Sequence, residues 1–536
     1  MNLKPLKLTV LTDTHYYSDK SGTSGKAYEK ASAKSQKLLA GSAEILNSAF
    51  KQIADDKSSD ILLISGDVTN NGELTAHDEF ISMLRSLKNK GKKVFVITAT
   101  HDFRGSGETD AYDGDNVIKT PTATRDMLFD MYREFGPDEA IAVHRESMSY
   151  VVQLCDGYRL FALNDDSNLN GKSGFSDECF AWITDQAEKA KSEGQFIIAM
   201  THHPLIAPSP IYELIGKGDM LGDYDKRLPQ LADIGIQFIL TGHTHIHNIS
   251  VAQSETGNVI YDICTGTPIG YPGVIRYLEI NPDANTVKAT TGYVNEPESY
   301  KSKGIKLKDI FENQLIGTIR GMVETAGKDI DKLADMATAI SIKPKVIYKF
   351  GWIIKPVFKF LNSLKVGTVA KWTKKETGLN PIDYADIKNK KVVDIITELA
   401  LNLYGGESKY PPESPTYKTT IGLLNIIDSI LKTVRVDLKK ILKVVPDTAS
   451  LVEPLLYNAG IDAYDAELKI YPYIKAGESA EKITLPPKIQ TVRKSKKGPV
   501  IIITAVLIIL MFLPLWLIII LAAFLNNQIK YGKKFK

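Results

Sequence analysis

The chain has 536 residues and a formal net charge of +3, and charged residues make up 24% of it. This length exceeds what one hydrophobic core supports and indicates about two to four structural units. So small a net charge argues against a general nucleic-acid-binding surface, and no nucleic acid polymer is expected as a partner. The three cysteines are odd in number and far apart, which argues against a disulfide framework and against a zinc ribbon.

The first half of the chain alternates short apolar runs with helical patterns. The runs predict strands at residues 6–11, 61–64, 94–97, 196–200 and 236–240, and a closing antiparallel sheet at 259–263, 274–280 and 286–293. Apolar spacing predicts a helix over residues 33–53. The pair Asp156-Gly157 lies between two apolar runs and predicts a β-hairpin, while Ser176 is expected to cap a helix that ends at about Ser192.

Each of the first five predicted strands ends in side chains that bind metals or transfer protons. In chain order these are Asp13 and His15, then Asp67, then Thr100, His101 and Asp102, then His202, and finally His243 and His245. In open α/β sheets, ligands bind in the crevice outside the carboxyl ends of the strands. All nine histidines lie at or before His247, so the sequence confines the chemistry to the first half of the chain.

The residue types at these strand ends predict a metal centre. Carboxylates and neutral imidazoles are good ligands for Mn, Fe and Zn, and no thiolate stands among them. A central aspartate could bridge two such ions about 3.5–4 Å apart, a spacing that stabilises both the attacking and the leaving oxygen of a phosphoryl group. We therefore expect two divalent metal ions and a metal-bound hydroxide that attacks phosphorus in line.

The order Asp-x-His, Gly-Asp, Thr-His-Asp, His-x-Pro and Gly-His-x-His resembles the calcineurin-like metallophosphoesterase family over about residues 6–294. The resemblance implies an α/β fold, a four-layer αββα sandwich of two sheets flanked by helices. The roles it implies for individual residues are the following: Asp13, His15 and His245 hold the first metal, Asp67 bridges, Thr100, His202 and His243 hold the second, His101 binds phosphate and protonates the leaving oxygen, and Asp102 orients His101.

One motif departs from the family pattern. Ala99 and Thr100 stand where the family has Gly-Asn, whose amide oxygen is a ligand of the second metal. A hydroxyl is a poorer donor to a divalent cation than an amide carbonyl, so a weaker second site is expected at this position. A degenerate, inactive site is the alternative.

The second half of the chain has a different pattern of apolar residues. Long helical patterns from about residue 306 predict an all-α domain over residues 299–480, after a catalytic domain over residues 1–298. Between Met336 and Lys375, nine lysines and no acidic residue are interleaved with aromatic side chains. This composition suits contact with an anionic membrane surface. An aromatic core stripe with solvated lysines opposite it is an equally good interpretation.

Residues 499–526 are predicted to form a transmembrane helix. The stretch from Val500 to Leu525 is almost uninterrupted hydrocarbon and exceeds the roughly 20 residues that a bilayer core requires. A basic linker over 481–498 precedes it and a basic tail over 527–536 follows it, so the basic residues do not orient it. Because the N-terminus shows no signal-peptide pattern, we expect a C-terminal anchor in the cell membrane with the catalytic domain on the cytosolic side.

Together these patterns predict a membrane-tethered, dinuclear-metal-dependent phosphoesterase that acts on a phosphate-ester substrate. Within the family, the catalytic half is most similar to bacterial members that act on cyclic nucleotides and other phosphodiesters, some of which carry a helical C-terminal unit. A phosphomonoesterase or a hydrolase of lipid-linked phosphates would keep the same ligands. A non-catalytic scaffold protein that only binds phosphate is the alternative from another functional class.

Overall fold

The structure is a computed structural model. It describes residues 3–33, 35–166, 173–332, 362–407, 409–433, 445–457 and 460–475, with short pieces at 334, 344–345, 347–348, 359–360 and 477–478. The predicted linker, transmembrane helix and tail (481–536), and most of the lysine-rich segment before residue 362, lie outside the described residues. Within the described part of the chain, no helix is both long enough and apolar enough to span a bilayer.

The strands carry the labels used below. They are β1 (Leu6–Leu11), β2 (Ile61–Ser65), β3 (Lys93–Ile97), β4 (Glu108–Asp113), β5 (Asn116–Pro121), β6 (Ala142–His144), β7 (Ser149–Cys155), β8 (Tyr158–Ala162), β9 (Phe196–Met200), β10 (Phe238–Thr241), β11 (Asn248–Gln253), β12 (Val259–Cys264), β13 (Val274–Asn281), β14 (Thr286–Tyr293) and β15 (Asp465–Lys469).

The helices of the first part of the chain are α1 (Lys26–Ser32), α2 (Ser42–Asp55), α3 (Leu74–Asn89), α4 (Arg125–Met131), α5 (Asp177–Ser192), α6 (Pro210–Ile215), α7 (Tyr224–Asp233), α8 (Glu298–Lys301) and α9 (Leu307–Lys328). Further helices span Val366–Trp372, Lys374–Thr377, Val392–Gly405, Pro415–Thr433 and Thr448–Leu456.

Two mixed sheets form the centre of the fold. The first has the strand order β15-β14-β13-β1-β2-β3, and the second has the order β11-β12-β10-β9-β8-β7-β6. The strands β1, β2 and β3 are parallel to one another, as are β8, β9 and β10. Their carboxyl ends therefore meet at one edge of each sheet, which is where the predicted site residues follow.

Three apolar clusters separate the layers. One lies between the two sheets, where Leu63 and Ile198 are fully buried. A second packs the outer face of the first sheet against α2, α3 and α9, and a third packs the outer face of the second sheet against α5 and α7. The strands are buried on both faces, which explains their continuous apolar runs. This arrangement matches the predicted αββα layering.

Local predictions hold where turn chemistry is strong and fail where apolar spacing is ambiguous. The hairpin around Asp156-Gly157 joins β7 and β8, and the Ser176 hydroxyl accepts a hydrogen bond from the Cys179 amide at the start of α5. The helix predicted over residues 33–53 is wrong in its first part. It begins only at Ser42, and residues 35–41 form a loop.

The prediction of a wholly helical region over residues 299–480 is corrected by one strand. After its helices the chain returns to the first sheet, where β15 pairs antiparallel with β14. Alternate residues of β15, such as Leu468, are buried in the core between the sheets. The buried Arg276 guanidinium donates to the Ala463 carbonyl, just before the chain enters β15. The run that forms β15 has only two apolar residues among five, which is a weak strand signal. It becomes a strand because β14 is available to pair with it.

Candidate active site

The predicted site residues meet at the carboxyl ends of strands from both sheets. The loops after β1 and β2 run side by side, because the Asp13 amide donates to the Gly66 carbonyl at 3.0 Å and the His15 amide to the Asp67 carbonyl at 2.9 Å. The loop after β10 reaches across from the second sheet, where the His243 amide donates to Asp13 Oδ2 at 2.9 Å. Both sheets thus contribute to one centre.

Among the described residues there are three groups of side chains in which the ligand atoms of each group lie within 4.8 Å of one another. Their members are Asp13, His15 and His245 in the first group, Asp67, His202 and His243 in the second, and His15, Asp67 and His101 in the third. The first two groups reproduce the two ligand sets that the resemblance implies, apart from Thr100. Asp67 belongs to two groups, as a bridging carboxylate would.

The two aspartates use their oxygens in the same way. Asp13 Oδ2 accepts from the Thr12 hydroxyl and the His243 amide, and Asp67 Oδ1 accepts from the His101 amide at 2.9 Å. The other oxygens, Asp13 Oδ1 and Asp67 Oδ2, are fully buried and have no hydrogen-bond partner. A buried carboxylate oxygen without a partner is costly, so each of these two atoms indicates a missing cation.

Imidazole nitrogens surround those two free oxygens. The Nε2 atoms of His245 and His15 lie 3.4 and 3.6 Å from Asp13 Oδ1, and His202 Nε2 lies 3.2 Å from Asp67 Oδ2. Two pairs of ring nitrogens also face each other, His15 Nε2 with His245 Nε2 at 3.0 Å and His243 Nδ1 with His202 Nε2 at 3.2 Å. Two nitrogen lone pairs that face each other repel, whereas a metal ion between them would accept both.

Backbone carbonyls orient two of the rings. His202 Nδ1 donates to the Ser65 carbonyl at 2.8 Å, so Nε2, which faces Asp67 Oδ2, is the nitrogen that a neutral ring would offer to a metal. His101 Nδ1 donates to the Asn70 carbonyl at 2.6 Å, which likewise leaves Nε2 unprotonated. A second hydrogen bond of this kind fixes ring orientation and tautomer in metal-binding histidines.

Several of the predicted ligands adopt a left-handed backbone. The φ angles are 51° for Asp13, 38° for His15, 51° for Asp67, 64° for His243 and 58° for His245. For residues other than glycine this conformation costs about 1–3 kcal/mol each and persists where the surroundings enforce it. Strain at five ligand positions therefore indicates that the turns are shaped for the centre.

The electrostatics of the site follow from burial and close pairing. Burial alone would raise the pKa of Asp13, but its contacts with His15 and His245 hold that pKa well below the usual range. Asp67 behaves in the same way because of His202. Burial lowers the pKa of His101 to about 4, against the attraction of Asp67. Both carboxylates are thus ionised, as metal binding requires, and His101 is neutral. Although burial opposes it, Asp67 holds the pKa of His202 well above its usual value, so a metal bound at that ring would displace a proton.

The residues present fit two divalent cations. The donors are carboxylate oxygens and imidazole nitrogens, which suit Mn, Fe or Zn, and the free oxygens of Asp13 and Asp67 stand at the centre of the two main groups. Thr100 opens a short 3₁₀ turn, Thr100–Asp102, and is half-buried. Its carbonyl accepts from Arg104 at 3.3 Å, and its assignment as a ligand stays a prediction.

The role expected for Asp102 is corrected by the geometry. It was predicted to orient the His101 ring, but the Asn70 carbonyl does so. The buried Asp102 carboxylate instead accepts from the Thr69 amide, the Thr69 hydroxyl and the Ala99 amide. Burial raises its pKa to about 7, and the negative charge of Asp67 adds to this effect. Asp102 therefore joins the loop after β2 to the turn that carries His101.

Sequence reasoning missed two residues of the site. Asp165 lies beyond β8, and its Oδ2 accepts from the His203 ring at 3.0 Å, which fixes the neighbour of His202. Lys37 places Nζ 3.2 Å from His15 Nδ1. The one sequence signal for Asp165 is the Asn-Asp-Asp run at the end of the predicted hairpin. The sequence has no signal for Lys37, because the incorrect helix prediction over residues 33–53 includes it.

Residues 6–247 match the family model described as calcineurin-like phosphoesterase. This stretch is a calcineurin-like phosphoesterase domain. The resemblance predicted from the motifs is thereby confirmed for this domain, and the side-chain groups agree with a dinuclear metal centre in a metal-dependent phosphoester hydrolase. The cyclic-nucleotide branch and the identity of the metals stay predictions.

Solved structures show distant similarity to the chain. A dimetal phosphatase from Danio rerio is 12% identical with a TM-score of 0.38, over 54% of this chain and 97% of that one. The purple acid phosphatase from yellow lupin (Lupinus luteus) seeds is 13% identical with a TM-score of 0.32, over 55% and 52%. The NAD nucleotidase of Haemophilus influenzae is 12% identical with a TM-score of 0.30, over 61% and 62%. Among curated protein sequences, none matches the chain.

The substitution Thr100→Asn tests the departure from the family pattern. An amide oxygen is a better donor than a hydroxyl, so we expect the second equivalent of Mn²⁺ to bind with a Kd about tenfold lower, a gain of about 1.4 kcal/mol. Calorimetric titration of the metal-free protein measures this. The same change at Thr109, on the β4–β5 hairpin, is the control, and Asp67→Ala should abolish binding of the second equivalent. An unchanged Kd in Thr100→Asn would show that position 100 does not face the metal.

Proposed function

We propose that the protein is a membrane-tethered phosphoesterase that hydrolyses phosphodiester bonds, cyclic nucleotides among them, at a dinuclear metal centre. The observation that carries the proposal is the pair of buried carboxylate oxygens without hydrogen-bond partners, Asp13 Oδ1 and Asp67 Oδ2, each facing histidine nitrogens. The domain match supports phosphoester hydrolysis. The preference for diesters extends the motif resemblance to the bacterial members of the family.

The ligand residues would hold two divalent cations, one at Asp13, His15 and His245 and one at Asp67, His202 and His243. Cations bound there would supply the positive charge that polarises the phosphoryl group and makes a bound water acidic. The chain's own contribution is to hold these donors rigidly. Asp13 and Asp67 are fixed by backbone amides from neighbouring loops, and both side chains are fully buried.

His101 is the residue we assign to proton transfer. Its Nδ1 is occupied by the Asn70 carbonyl, so Nε2 is the atom that can face a leaving oxygen. A negatively charged phosphate ester beside the ring favours its protonated form, which opposes the lowering of its pKa by burial. His101 Nε2 then donates its proton as the ester bond breaks, and the leaving group departs as an alcohol.

Replacing His101 by Gln separates proton transfer from metal binding. We expect kcat to fall by about 100-fold or more, because a positioned general acid contributes roughly that much, while metal content stays at the wild-type level. Hydrolysis of bis-p-nitrophenyl phosphate, p-nitrophenyl phosphate and cyclic nucleotides by the Mn-loaded full chain measures this. His144→Gln, outside the site, is the control. Metal binding without turnover of any of these esters by the wild-type protein would instead support the phosphate-binding scaffold.

The tether is the second part of the proposal. The apolar stretch 499–526 supports the tether. The three cysteines support the cytosolic orientation, because all three are free, as expected in a reducing compartment.

We expect the full chain to remain in the membrane pellet after carbonate extraction and a variant ending at residue 498 to be released. In sealed right-side-out vesicles, added protease should spare the catalytic domain. Release of the full chain by carbonate would contradict the tether, and digestion in intact vesicles would contradict the orientation.

A further inference from the structure

Lys37 is a cation at the metal centre whose donors are largely unused. Its side chain is half-buried, and Nζ contacts His15 Nδ1 at 3.2 Å. An ammonium group has three N–H donors, and the contact with His15 Nδ1 is its one hydrogen-bond contact among the described residues. When His15 offers Nε2 to a metal, its Nδ1 carries the ring hydrogen and cannot accept, so the donors of Lys37 are left for a ligand. In the same part of the chain, no carboxylate oxygen lies within 4.0 Å of Nζ. A lysine ammonium that is partly buried normally has a carboxylate partner, and Lys37 lacks one at this distance.

The loop that carries Lys37 is fixed from several sides. Lys37 pairs with Gly270 in an isolated antiparallel bridge. The Gln314 side chain, on α9, donates to the Lys37 carbonyl at 2.8 Å and to the Ser35 carbonyl at 3.0 Å. The neighbouring Gln36 amide donates to the Tyr404 hydroxyl at 2.9 Å. Two of these anchors, Gln314 and Tyr404, lie in the C-terminal helical region, so that region helps to place the loop that carries Lys37.

The charges around Lys37 leave room for an anion. The carboxylates of Asp67, Asp13 and Glu73 attract it, and Arg104 repels it. Asp13 and Asp67 face the metal ligands, so bound divalent cations would offset their charges. Glu73 Oε2 accepts from the Asn71 amide and its Oε1 is buried without a hydrogen-bond partner, but neither oxygen lies within 4.0 Å of Lys37 Nζ. With metals present, a partly desolvated ammonium would then stand beside a positively charged centre, which is unfavourable unless an anion accompanies it.

Arg104 differs from Lys37 in this respect. Its guanidinium donates to the Thr100 and Phe103 carbonyls and to Asn71 Oδ1, so it holds the turn next to His101. Its hydrogen bonds are directed to the protein itself. Of these two described cations, Lys37 is the one that contacts a predicted metal ligand, His15.

We propose that Lys37 is a substrate-binding residue whose ammonium donates to a charged, non-bridging oxygen of the phosphate group held at the metal centre. The proposal rests on the proposed phosphoester hydrolysis, and it adds an affinity for monoesters to the diester hydrolysis proposed above. A compact ammonium interacts in proportion to the charge on the oxygen it meets, so it strengthens the binding of dianionic monoesters and of inorganic phosphate more than that of monoanionic diesters.

The test compares Lys37→Gln, Lys37→Arg and the control Lys30→Gln, an exposed lysine on α1, in the Mn-loaded full chain. Lys37→Gln should raise the Kd of inorganic phosphate, measured by calorimetry, about tenfold. It should raise KM for p-nitrophenyl phosphate more than for bis-p-nitrophenyl phosphate, with little change in kcat and no loss of Mn. Lys37→Arg should recover part of the phosphate affinity, and Lys30→Gln should behave as wild type.

Two results would overturn the proposal. One is an unchanged phosphate Kd in Lys37→Gln. The other is loss of Mn from that variant, restored in Lys37→Arg, which would make Lys37 a positioning residue for His15. Because phosphate binding is measured without turnover, a wild-type protein that binds phosphate through Lys37 but hydrolyses no ester would contradict the proposed function and leave this assignment standing.

Discussion

The whole arrangement depends on two buried carboxylates, Asp13 and Asp67, each with one oxygen bonded and one oxygen free. The bonded oxygens accept from the amides of His243 and His101, and the first of these bonds joins the two sheets. The free oxygens face imidazoles and are themselves buried. Burying two ionised carboxylates costs several kcal/mol each unless cations compensate. The left-handed turns at the ligand positions are a further cost, which is acceptable only if the centre binds metal.

Much of this centre could be predicted from sequence, because its ligands follow strands that are buried on both faces. Continuous apolar runs locate such strands well, and the residues at their carboxyl ends must meet at one edge of the fold. Asp13, Asp67 and His202 were found in this way. The family resemblance then assigned them to two metals, and the groups in the structure agree.

The features that sequence missed depend on contacts between distant segments. Leu38 and Leu39 fit helical spacing, but the backbone there pairs with the loop around Gly270, so the helix begins later and Lys37 reaches the site. Asp102 follows His101 directly, yet its carboxylate bonds the loop after β2. The strand β15 forms because an open edge of β14 is present to pair with it. None of these outcomes is encoded in a local pattern.

The dinuclear centre is tested most directly by a crystal structure of the full chain with Mn²⁺, with anomalous diffraction measured at the Mn absorption edge. Two peaks are expected, one in contact with Asp13, His15 and His245 and the other with Asp67, His202 and His243. The free oxygens of Asp13 and Asp67 are expected to be ligands. A structure at saturating Mn²⁺ with no peak beside these two oxygens would contradict the dinuclear centre.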